Sequence, residues 1–107
     1  MDELVQRLAT GDHLVYASRA DDSAKEFQRS IERGYVHIKF TETRGGTELG
    51  VRLDNKATDL SQADFDQATG NVHIVGNLTL NYVNVQCIAD IDLTTLRGTG
   101  HLEPVED

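Results

Sequence analysis

The sequence has no tryptophan, a single cysteine, and only three lysines among its ten basic residues. Each shortage excludes something. Cys87 has no second thiol to pair with, so no internal disulfide forms and a reducing compartment, the cytoplasm, is the expectation. Six aromatic residues, none of them tryptophan, argue against a large apolar-ligand site. No apolar run approaches the about 18 residues of a membrane-spanning helix. Met1-Asp2-Glu3 is acidic, so neither a signal peptide nor a membrane role is expected. Positive charge is also short, with 10 bases against 18 acids and a net charge of −8. Nucleic acid and anionic lipid both require the opposite surplus. A basic protein partner suits that charge, and so does plain solubility. The lysine-poor acidity also fits a salt-adapted or GC-rich source, which composition does not separate.

What remains is an ordinary globular chain. It has 107 residues, 38% hydrophobic and 26% charged, enough for one domain spanning 1–107 with a modest core. Leu4, Val5 and Leu8 form a short stripe, which predicts two helical turns over 2–9, stopped before Gly11. His13 to Ala17 reads as a short strand. Ser23 and Glu26 have the spacing of a capping box, with Asp21 and Asp22 at the positive end of the dipole. Ala20, Ala24, Phe27 and Ile31 share one face, and Gly34 can close the helix at about 33.

After Gly34 the apolar period drops to two. Val36, Ile38 and Phe40 are followed by Leu49, Val51 and Leu53 in the opposite parity. A two-residue turn at Gly45-Gly46 would pair Phe40 with Val51 and Ile38 with Leu53. Residues 71–93 repeat the pattern: apolar residues are even-numbered up to Tyr82 and odd-numbered from Val83. A reversal centred on Tyr82-Val83 pairs Leu80 with Val85, Leu78 with Cys87, Gly76 with Ala89 and Ile74 with Ile91. Gly76 then leaves space for a bend or for a helix side chain such as Phe27. Between the hairpins, residues 55–70 are irregular, with Ser61 and Asp64 spaced to cap one helical turn carrying Phe65. A last short strand around Thr99–Glu103 would add an edge.

These elements predict an α+β fold, a four- to six-stranded antiparallel meander with the 23–33 helix packed on one face. In element order alone, this resembles the cystatin-like or helix-grip layout, a likeness without functional weight.

Few residues look chemical. The expected register sets His73 opposite Asp92 on the outward face, where a carboxylate could orient an imidazole. Such pairs are also common on sheet surfaces, and no nucleophile stands nearby. The four histidines lack zinc spacing, and Asp64-Phe65-Asp66 lacks the rest of a calcium loop, so neither metal nor cofactor is expected. Cys87 falls in the expected core, where a thiol is inert. Val75 and Ile88 break the polar pattern of the outward face, making a small apolar patch with a polar rim.

Two functions follow. The first is a non-enzymatic, acidic interaction or accessory protein, binding a protein partner or a second copy through Val75, Ile88, His73 and Asp92. The alternative is a small-ligand binder or enzyme with a pocket between helix and sheet, near Gly76.

Overall fold

A computed structural model describes residues 2–21 and 23–105. Asp22, expected beside the positive end of the main helix, lies outside them. The chain runs α1 (Glu3–Ala9), β1 (His13–Ser18), α2 (Ala24–Arg33), β2 (Tyr35–Phe40), β3 (Thr47–Leu53), β4 (Ala63–Asp64), β5 (Thr69–Leu80), β6 (Val83–Asp92) and β7 (Arg97–Pro104).

Both helices are capped as their sequences require. Asp2 Oδ1 accepts the backbone N–H groups of Leu4 and Val5 at 2.9 and 3.2 Å, starting α1. Ser23 Oγ accepts the Glu26 N–H at 3.3 Å, and Gly34 ends α2 in the left-handed region at φ 82°. Val5 and Leu8 of α1 and Phe27 and Ile31 of α2 join the inward strand residues in one buried cluster.

The sheet is neither a single meander nor of helix-grip order. Its strands run β3-β2-β1-β7-β6-β5-β4, and an added β3–β5 pairing closes six of them into an antiparallel barrel. Two three-stranded meanders are therefore joined along two seams, β1–β7 and β3–β5. The strand expected at an edge around Thr99–Glu103 is the eight-residue β7, held between β1 and β6 in the middle of the order.

Both hairpins keep the expected faces and lose the expected registers. In the first, Val36 pairs with Val51 and Ile38 with Leu49, four positions from the expected pairing. The connection is longer than two residues: Thr43 is buried in it, its Oγ1 donating to the Phe40 carbonyl and bonding Thr47 Oγ1 at 2.6 Å. That hydroxyl network holds a wide loop in place of a tight glycine turn. In the second, Leu80 pairs with Val83 and Ile74 with Ala89, a shift of two. The turn is Asn81-Tyr82, both with positive φ (49° and 69°), the signature of a type I′ hairpin. An even slip preserves the buried face, so the alternation survives either error.

Gly76 holds no helix side chain. A Cβ there would lie 2.5 Å from the Arg52 carbonyl oxygen and 2.5 Å from Val51 Cγ1, so its missing side chain lets β3 close the barrel. The irregular stretch after β3 continues along β5. Asp54 N–H donates to the Val75 carbonyl at 2.8 Å, and Asp59 and His73 exchange N–H···O bonds of 2.9 and 3.0 Å. The expected helical turn at Ser61–Asp64 does not form. Instead Asp59 Oδ1 accepts the Ser61 N–H, and β4 makes a two-residue ladder with Thr69 and Gly70. An ion pair from Lys25 to Asp66 ties this segment to α2.

Candidate functional site

His73 and Asp92 do not meet. The type I′ turn places Asp90 opposite His73, Nδ1 to Oδ1 at 2.8 Å, and sets Asp92 opposite Asn71. Asp92 accepts the Thr94 N–H in the next turn. The His73–Asp90 pair is largely open to solvent, an ordinary cross-strand pair. Asp59 faces it across the bridge to His73. Its carboxyl sits below the usual range, chiefly because Ser61 donates to it.

Val75 and Ile88 lie directly opposite each other. Yet Val75 is only 6% exposed, because the segment after β3 crosses it. Thr58 Oγ1 donates to the Val75 carbonyl at 3.0 Å and accepts its N–H at 3.3 Å. The two-residue apolar patch is thereby reduced to half-buried Ile88. Cys87 is fully buried opposite Gly76, and burial pushes its thiol up to about 12.

A different feature stands out at the other end of β5. The β3–β5 pairing spans only Arg52–Asn77 and Leu53–Gly76. Beyond it the strands part, leaving an open groove of about 720 Å³. Leu49, Leu78 and Val85 form its apolar floor, while Tyr35, Arg52 and Val105 stand at its rim. No helix residue lines it, so it is not the pocket between helix and sheet expected near Gly76.

Charge at the groove is partly settled within the chain. Glu48 accepts from Ser18 Oγ at 2.7 Å and pairs with Arg19 at 3.1 Å. Those donors, the hydroxyl first, hold its carboxyl below the usual range. Arg52 has no ion pair among the described residues. The β5–β6 turn flanks the groove and is tied to α1, since Asn81 Nδ2 donates to Asp2 Oδ1 at 3.1 Å. That bond, ahead of the Val5 N–H, keeps the Asp2 carboxyl below its ordinary value. Tyr82 projects from the turn with its side chain fully exposed (102%).

Sequence reasoning missed Tyr82, and it missed Gly50 and Arg52 of β3, which also line the groove. The signal for the first was Asn81, a residue tolerant of positive φ and better placed to open the turn than the Tyr82-Val83 centre. The other two become visible only when β3 is known to meet β5.

The class defined here is a small closed antiparallel barrel, flanked by two short helices, with one seam left partly open. The chain belongs to the core binding factor beta subunit family, which matches it over residues 1–107. It is also similar to "Protein big brother" of Drosophila melanogaster, 29% identical over 107 residues covering 95% of this chain. The chain spans about half the length of that curated relative, 50% of it. The family's name describes a subunit of a binding factor.

Proposed function

We propose that this chain is the accessory subunit of a two-protein complex, and that it docks its partner across the β3–β5 groove and the Asn81-Tyr82 turn. The partner is a domain of the runt type, the kind bound within the family. The carrying observation is Tyr82. A type I′ turn favours glycine at its second position, because L residues pay for a left-handed backbone. Here a tyrosine holds φ 69° with its ring wholly in solvent. An exposed aromatic in a costly conformation gains nothing within the chain, and tyrosine is enriched among residues that dominate interface energy. The outward face at Ile88 is a poorer candidate, since Val75 is already covered. The net charge of −8 favours a partner with a basic surface.

Tyr82→Gly separates the two roles. It leaves stability unchanged or raises it by up to about 1 kcal/mol, because glycine accepts the turn freely. Calorimetric titration with a purified runt-type domain should then show affinity falling by about tenfold or more. Unchanged affinity would remove the turn from the interface.

A further inference from the structure

The hydrogen-bonding phase of the open seam adds a docking mode to that reading, on which it rests. Along β3, Leu53 N–H donates to the Gly34 carbonyl at 2.9 Å, so odd-numbered residues bond β2. Even-numbered residues therefore aim their N–H and C=O groups at β5. Along β5, His73 and Val75 bond the segment after β3, so its odd-numbered residues aim the other way, towards β3. The ladder uses Arg52 opposite Asn77 and then stops. The next positions in phase are Gly50 and Glu48 on one bank and Thr79 on the other. Among the described residues none of these has a backbone partner across the groove. The seam thus leaves main-chain donors and acceptors open on both banks of an apolar groove.

We infer that the groove receives an extended segment of the partner, which adds as a strand to these open edges. Backbone groups of that kind are met by another extended backbone, and alternate side chains of the added strand then face the floor. Leu78 is half-buried there, and Tyr35 and Val105 leave 46% of their surfaces exposed at the rim. The incoming segment therefore carries apolar side chains at every second position. It also carries a carboxylate near Arg52, the rim cation without an ion pair, because Glu48 is already neutralised by Arg19.

Amide exchange followed by NMR, on the chain alone and with a purified runt-type domain as probe, tests this. In the free chain, Gly50 and Thr79 N–H groups should exchange about a hundredfold faster than those of Leu49 and Leu78, which lie in ladders. Slow exchange at both positions in the free chain overturns the inference without a partner. With the probe bound, both become protected. Thr79→Pro removes an N–H that faces the groove and spares the β6 ladder, so it should weaken binding about tenfold. Thr79→Val, which keeps the N–H, should not. Probe binding that shifts Tyr82 but leaves Gly50 and Thr79 unprotected overturns strand addition and keeps the partner reading. No binding of the probe at all overturns both.

Discussion

β3 and β5 meet at one end and part at the other. At the closed end the contact is as tight as backbone allows, since Gly76 lies against the Arg52 carbonyl and Val51. The chain after Leu53 then lies along β5 from Val75 to Asn71, filling its edge with main-chain bonds. At the open end, one residue pair beyond Arg52–Asn77, the same strands make no bond to each other. The β5–β6 hairpin follows β7 and α1 instead, held there by Asn81 and Asp2. One strand pair therefore closes the barrel and supplies an unfilled edge, at places a few residues apart. Stability and docking can be altered separately.

The largest expected effect is at the closed end. Ile74 is fully buried, and Ile74→Ala should cost about 2–5 kcal/mol in urea melts. Leu78, four residues along the same face, is only half-buried above the groove. Leu78→Ala should cost roughly half as much or less, because less apolar area leaves water on folding. Equal losses would make the groove floor part of the core and break the distinction between the two ends.

A smaller effect distinguishes two glycines. At Gly76 an added Cβ meets backbone, which has nowhere to move, and Gly76→Ala should cost about 1–3 kcal/mol. At Gly50 it would meet the Tyr35 hydroxyl 1.8 Å away, the far end of a side chain that can swing aside. Gly50→Ala should therefore cost under about 1 kcal/mol in the same melts. A larger loss at Gly50 than at Gly76 would mean that the seam is held from its open side.

The same division explains what the sequence made legible. Ser23, Glu26 and Gly34 announced α2 because capping is local chemistry, and α2 runs from Ala24 to Arg33. Alternation announced which residues of both hairpins are buried, because a face depends only on parity. Register depends on the turn, and turns were misjudged twice. Gly45-Gly46 looked like a complete turn, but Thr43 bonds Thr47 within a wider loop. The reversal centred on Tyr82-Val83 misses the Asn81-Tyr82 turn, because tyrosine rarely adopts positive φ. Closure was hidden for another reason: nothing local in β3 or β5 records that Leu53 meets Gly76, 23 residues away. The candidate site inherits that blindness, since a groove between distant strands exists only after closure. His73, Asp92, Val75 and Ile88 were chosen from within one hairpin, where sequence could see neighbours. The register then moved Asp92 away, and the segment after β3 covered Val75.

The smallest predicted effect is electrostatic and belongs to the open end. Glu48 has a folded-state pKa below the ordinary 4.5, with the Ser18 hydrogen bond the first cause and the Arg19 hydrogen bond the second. A depressed carboxylate contributes stability that is present above its unfolded pKa and lost as pH falls through its folded one. Between neutral pH and about 4.5 the contact should thus change nothing, and its loss should come only in more acidic solution. The groove therefore keeps a neutralised Glu48 and an unpaired Arg52 across the whole near-neutral range. Carboxyl NMR titration should give Glu48 a midpoint below 4.5. Ser18→Ala and Arg19→Gln should each raise that midpoint, because each removes a donor to the carboxylate. If Arg19→Gln leaves the midpoint unmoved, Arg19 does not neutralise Glu48 at this rim. Glu48 would then be available to an incoming cation, and the carboxylate expected beside Arg52 would lose its reason.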